Sequence, residues 1–257
     1  MNKTYFFNTF QKEDSFLIAP IWDDIQLCLS IDYPIYGNIF FPPSIWSKIE
    51  SMSDSLKLNI KTIGTSDFSE KKMIIFFPTN FETENLISNV VHFKIVGTNK
   101  FKILQHKDFL GTIMSLGLKR EFLGDIIVKD NIAYGITTKD IFNIIESIEQ
   151  VNKISVKVEL CNKESIPKPE IKESSYTTSS LRLDSIISSI LNTSRNISVN
   201  LIETGDVSIN YSIERNKSQI ISENSTITIK KHGKFFFNKN LGENKKGKLK
   251  IIIQQFI

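Results

Sequence analysis

The sequence predicts an α/β (α+β) protein built from three blocks. Three observations carry that reading. Apolar residues recur both at helical spacing and in strand-sized runs. Residues 86–161 read as β-α-β-β-α-β. Charge is shared unevenly, with 12 basic and 6 acidic residues from Leu181 onward against 20 and 22 before it. The 257 residues suffice for a sizeable core, and 40% hydrophobic with 23% charged residues excludes a disordered chain or a collagen-like fibre. No apolar run nears the ~18 residues of a membrane span. The first thirty residues carry Glu13, Asp14, Asp23 and Asp24 in place of a basic-then-apolar signal layout. Cys28 and Cys161 stand far apart, which fits reduced thiols and a cytoplasmic chain.

The first block, 1–85, is an N-terminal α/β domain. Pro43 and Ser44 are helix-start signals, and Ile45, Ile49 and Met52 share a helical face. Lys57 to Ile63 alternates as a half-buried strand, Gly64 turns the chain, and Met73 to Phe77 reads as a buried strand. Asn80 to Asn85 is polar and marks a boundary.

The second block, 86–161, opens with the strand Val90 to Val96 and a helix from Lys107 to Leu116. Strands at Asp125–Val128 and Ile132–Ile136 flank a tight turn. Thr138 caps a helix over 140–151, where Ile141, Ile144, Ile145 and Ile148 form a stripe, and Ser155 to Leu160 is the last strand. This is the split-βαβ plan that RNA-recognition modules also use. Tyr134 is the single aromatic residue expected on its central strands.

Residues 162–180, with Pro167, Pro169 and a Ser/Thr run, predict an extended, solvated linker. The third block, 181–257, begins with a helix carrying Leu183, Ile186, Ile187 and Ile190. A second helix carries Ile197, Val199, Leu201 and Ile202 and stops at Gly205. Short strands are predicted at Val207–Asn210, Ile227–Ile229, Lys234–Phe237 and Leu249–Ile253.

The net +6 of this last block fits either a polyanion-binding module or a solvated lysine face. The arginines discriminate better. There are four (Arg120, Arg182, Arg195 and Arg215) against 28 lysines. In a lysine-biased chain, a retained arginine points to a need for its planar, forked guanidinium.

The third block resembles the S4-type (alpha-L) RNA-binding domain, through Leu181-Arg-Leu-Asp184, Ser194-Arg195 and Gly205-Asp-Val-Ser-Ile-Asn210. The resemblance implies one phosphate-binding face, with Arg182, Ser194, Arg195 and Lys230 towards RNA and Lys231, His232 and Lys234 extending it. A hydroxyl and a guanidinium at a helix start also make an anion site on physical grounds. Where that family usually has Gly-Asp before the third strand, this chain has Glu223-Asn224.

The middle block, through Lys102-Ile-Leu-Gln-His106-Lys107-Asp108, Leu116-Gly-Leu-Lys119-Arg120-Glu121 and Gly124-Asp125-Ile126, resembles the central domain of the YlmH family. Gly64 to Lys72 resembles a segment of that family's first domain. The implied layout is an N-terminal α/β domain, an RRM-like βαββαβ RNA-binding domain and a C-terminal S4-type domain. The implied function is non-catalytic: binding of rRNA and tRNA on the large ribosomal subunit, holding peptidyl-tRNA while stalled chains receive C-terminal tails in ribosome-associated quality control. His106, Lys107, Lys119 and Arg120 are the RNA contacts expected in the middle block. Lysines at 107 and 234 stand where the family has arginine, which turns bidentate contacts into point-charge contacts.

Sharper chemistry finds little support. Pseudouridine synthases carry an Arg-Leu-Asp motif, but here Asp184 lies inside the S4 pattern and is expected to cap or orient Arg182. His106-Lys-Asp108 could do acid–base chemistry, yet neighbours on a helix diverge. His92, His106, His232, Cys28 and Cys161 lack ligand spacing, so no metal or cofactor is expected. Neither a small-molecule substrate nor a membrane partner is expected. Two alternatives stay open. An rRNA- or tRNA-modifying enzyme or accessory would show a pocket of convergent titratable groups in the first 160 residues. A cell-division adaptor would show a large apolar patch.

Overall fold

The computed structural model describes residues 1–10, 15–66, 68–86, 89–98, 102–245 and 247–256. Asp67 of the Gly64–Lys72 segment lies outside the described residues, as does Lys246. The chain forms two compact units, Met1–Lys168 and Pro169–Ile257. The boundary expected at residue 85 falls inside the first, because Phe40 and Met73 pack on Ile136 of the following block.

The first unit opens with helices α1 (Lys3–Thr9) and α2 (Ser15–Ile31). In α2, Ile18, Ile21, Trp22, Ile25 and Cys28 are buried at helical spacing. After β1 (Ile35–Tyr36), Pro43 supplies the first residue of α3 (Pro43–Ser51), where its fixed φ suits the helix and no hydrogen bond is lost. Then come α4 (Ser53–Leu56), β2 (Asn59–Ile63) and the fully buried β3 (Met73–Phe77). They complete a three-stranded sheet in the order β1-β3-β2.

The same unit continues with β4 (Val90–Gly97), α5 (His106–Ser115), β5 (Ile127–Lys129), β6 (Ile132–Thr138), α6 (Lys139–Ile145), β7 (Gln150–Val151) and β8 (Ile154–Cys161). Their sheet runs β5-β6-β4-β8-β7 with antiparallel neighbours, so the first strand lies between the third and the last, as a split βαβ requires. Asp130 and Asn131, at φ 51° and 64°, make the two-residue hairpin turn between β5 and β6. The helix expected over 140–151 stops at Ile145. Asn152 and Lys153, at φ 48° and 66°, instead turn Gln150–Val151 back as a hairpin strand, and Ile148 and Val151 still reach the core.

The second unit contains β9 (Ile171–Thr178), α7 (Leu183–Leu191), α8 (Arg195–Glu203), β10 (Val207–Ile209), β11 (Ser212–Ile213), β12 (Ser225–Ile229), β13 (Gly233–Glu243) and β14 (Leu249–Phe256). The sheet order is β11-β10-β12-β13-β14-β9. The linker expected over 162–180 is thus corrected. Residues 171–178 are extended, but they pair with all of β14 from Leu249 to Phe256. A backbone ladder needs no apolar run, and the Thr and Tyr of this stretch are good strand formers. Leu183, Ile186, Ile187 and Ile190 of α7 and Ile202 of α8 cover one sheet face, against Ile227, Phe235, Phe237, Ile251 and Ile253. Asn224 adopts φ 65° and donates its N–H to the Phe237 carbonyl at 2.7 Å, so asparagine makes this left-handed turn without glycine.

Candidate nucleic-acid interface

The stripe that buries α7 also carries Asp184 inward, leaving it 2% exposed. Arg182 is the residue preceding α7 and Arg195 the first residue of α8. Asp184 Oδ1 and Oδ2 accept from Arg182 Nε at 3.2 Å and Nη2 at 2.9 Å. The same carboxylate accepts from Arg195 Nη2 at 3.2 Å and Nε at 3.0 Å. Two forked guanidiniums therefore share one carboxylate, leaving one net positive charge. Burial would raise the Asp184 pKa, but the bonds from Arg182 and Arg195 outweigh it and hold the group at about 2. The bond to Asp184 in turn raises the Arg182 pKa.

The two side chains stay 34% and 53% exposed. Among the described residues, no bond engages Nη1 of either arginine. The pair thus offers an anion outward-facing, charge-assisted donors whose orientation is already fixed from beneath.

Local sequence builds this geometry. Asn192 takes φ 50° to end α7. Ser194 caps α8, its hydroxyl accepting from the Ile197 N–H at 3.4 Å. The loop before β12 lies along the start of α7, where Leu183 N–H donates to Gln219 O at 2.8 Å and Asp184 N–H to Lys217 O at 3.2 Å. Arg215 Nη1 donates to Glu203 O at 2.8 Å at the end of α8. Its guanidinium lies so close to Gly205, at φ 82°, that a Cβ there would come within 2.9 Å.

The lysines expected to extend this face do not all share it. Lys230 pairs with Asp206 at 3.4 Å, while Lys231 and His232 are exposed at the β12–β13 tip. Lys234 alternates with core residue Phe235 and so faces the other side of the sheet, its ammonium lying 4.9 Å from the Tyr211 ring centroid and 5.2 Å from that of Phe256.

In the first unit, His106 and Lys107 are exposed at the start of α5. Asp108 accepts from Gln105 N–H at 2.8 Å, closing the helix start. Lys119 is exposed just past the other end of a helix about 15 Å long, so it and His106 are not brought together. Arg120 turns inward, its Nη1 donating to the carbonyls of Leu123 at 2.7 Å and Gly124 at 2.9 Å. The next residue, Asp125, accepts from the backbone N–H groups of Glu70 at 2.6 Å and Lys71 at 3.1 Å. The Gly64–Lys72 and Gly124–Ile126 motifs thus meet at one carboxylate. Burial and the neighbouring Arg120 lower the Lys71 pKa.

Comparison with known proteins now bears on this geometry. Residues 88–165 match a family model described as "Putative RNA-binding domain in YlmH". A Bacillus subtilis (strain 168) relative named "Ribosome-associated protein quality control protein P2" is 26% identical over 219 residues, spanning 84% of this chain and 85% of that protein. Residues 88–165 thus resemble the RNA-binding domain of the YlmH family, and the wider chain is similar to that ribosome-associated protein. A solved structure titled "Cell division protein ylmH from Streptococcus pneumoniae" is 22% identical, with a TM-score of 0.48, covering 60% of this chain and 98% of that one. The YlmH-type domain contains His106, Lys107, Lys119 and Arg120, whereas the paired arginines lie in the second unit. No helix among the described residues is long and apolar enough to cross a membrane. Nor does any group of three or more His, Cys, Asp or Glu among them form a metal site.

Two features escape sequence reading. Asp184 holds Arg195 as well as its neighbour Arg182, a contact across 11 positions that no local motif reveals. Asp125 bonds residues some 55 positions away. Phe236 did leave a signal: three consecutive phenylalanines in an alternating strand cannot all face the core, and Phe235 and Phe237 take the core side.

Proposed function

We propose that this protein is a non-catalytic RNA-binding factor of the cytoplasm that grips rRNA and tRNA on the large ribosomal subunit. In this reading it steadies peptidyl-tRNA during quality control of stalled chains and needs no cofactor or small-molecule substrate. One observation carries the reading: two guanidiniums forked on the buried carboxylate of Asp184, at adjacent helix starts. The unit that holds them has 13 basic and 8 acidic residues. Such a site binds phosphate without reading sequence. The middle domain, with the match to an RNA-binding domain, supplies a second contact, and two modest affinities on one chain combine. The ribosome-associated relative supports the partner.

The test is co-sedimentation with large subunits that carry peptidyl-tRNA and with empty ones, at low and high salt. Arg182→Gln/Arg195→Gln is combined with Asp184→Asn so that no buried carboxylate is left unpaired. Preferential pelleting of wild type with loaded subunits, lost in the triple variant, supports the reading. Equal pelleting of both proteins removes the arginine pair from the mechanism.

A further inference from the structure

The sheet of the second unit has another face, away from α7 and α8. Residues directly opposite one another on neighbouring strands share a face, which defines its members. Thr226, Phe236, Gln254 and Glu173 form one row across the sheet. Lys234 lies opposite Thr228 in the next row, and Lys239 opposite Ile252. Phe256 lies opposite Ile171. None of Phe236, Phe256 and Tyr211 belongs to the core that the helices cover. Along β13 this face therefore reads cation, aromatic, cation: Lys234, Phe236, Lys239.

Tyr211 gives the face a specific shape. It occupies the second position of the Asn210-Tyr211 hairpin turn at φ 68°, where glycine is the favoured residue and a bulky one is strained. The strained residue sets its ring against the Lys234 ammonium, which the Phe256 ring flanks as well. The carboxylate on this face, Glu173, accepts from the side-chain amides of Gln254 at 3.0 Å and Asn238 at 3.3 Å. Lys230, Lys231 and His232 stand at the tip of the same β12–β13 hairpin.

We infer that this face binds unpaired nucleotides of RNA, with bases stacking on Tyr211, Phe236 and Phe256 and phosphates meeting Lys234 and Lys239. Aromatic rings interleaved with cations on an open sheet are what single-stranded nucleic acid requires: every base has a stackable face and every linkage a negative charge. A neutral apolar partner would desolvate the exposed Lys239 ammonium and supply no counter-charge. The inference rests on the RNA-binding reading and extends it from phosphate gripping on one side of the unit to base stacking on the other.

The test uses the full chain and two fluorescent RNAs, a 16-base-pair duplex and the same duplex with a five-nucleotide pyrimidine overhang. Wild type is expected to bind the overhang RNA about tenfold more tightly, within the range of base stacking on an aromatic ring. Tyr211→Leu/Phe256→Leu is expected to abolish that gain and keep duplex affinity, and Lys234→Gln, which leaves the rings in place, is expected to reduce it. The arginine-pair variant is expected to weaken duplex binding and retain the gain. Binding of both RNAs with no overhang gain overturns this inference alone; binding of neither overturns the RNA reading with it. Aromatic variants that keep the gain but abolish self-association of the protein would assign the face to a second copy of this chain and overturn the inference.

Discussion

Arg120 in the first unit and the Arg182–Arg195 pair in the second use the same side chain in opposite ways. Arg120 donates to two carbonyls of the segment it precedes and so clamps that segment, positioning Asp125 on Glu70 and Lys71. Arg182 and Arg195 bond a carboxylate that lies beneath them, and their outer edges reach solvent. An arginine answered by backbone carbonyls is spent on its own fold. An arginine answered by a buried carboxylate is oriented for something else. Motif position alone does not separate the two cases.

The largest expected effect breaks the second case. Arg182→Gln/Arg195→Gln leaves Asp184 buried without a counter-charge, a loss on the order of 3 kcal/mol. Adding Asp184→Asn restores much of it. Urea denaturation that finds the double and triple variants equally stable would show that the carboxylate does not depend on the pair. Next, Asp125→Ala leaves two backbone N–H groups without their acceptor and costs about 2 kcal/mol. Arg120→Gln is expected to cost about 1 kcal/mol in thermal unfolding. Its RNA affinity should stay within twofold of wild type, and a larger loss would erase the contrast between the arginines.

A pH titration sharpens the same contrast. Asp184 is depressed to about 2 in the fold, below the ordinary aspartate value near 4. Its contribution to stability is therefore complete above pH ~4 and lost as pH falls towards ~2. Acid unfolding of wild type should show that loss, and the triple variant should lack it. The smallest effect is Ser194→Ala, about 0.5 kcal/mol for a long capping bond, measured by urea denaturation.

Much of this fold was legible because its elements are locally encoded. The β-α-β-β-α-β order, the stripe of α7 and the strands around Phe235 and Ile251 all follow from periodicity. What was not legible depends on distant partners. Residues 171–178 look like a linker until β14 pairs with them, 70 or more positions downstream. The helix expected to reach Val151 stops early because Gln150–Val151 finds Ile154 and Ser155. At the site, arginine scarcity pointed to Arg120, Arg182, Arg195 and Arg215 alike, and only tertiary contacts separate the pair held on Asp184 from the arginines that bond backbone carbonyls. Lys234 was expected beside Lys230; strand alternation, readable in retrospect, sets it on the opposite face.

The most direct measurement is the salt dependence of RNA binding, as log Kd against log salt for wild type and the neutralised triple variant on two unrelated rRNA fragments. Phosphate contact by both arginines predicts a slope shallower by about 2 in the variant, with equal weakening on both sequences. An unchanged slope, or a loss confined to one fragment, would contradict a sequence-independent phosphate grip by Arg182 and Arg195.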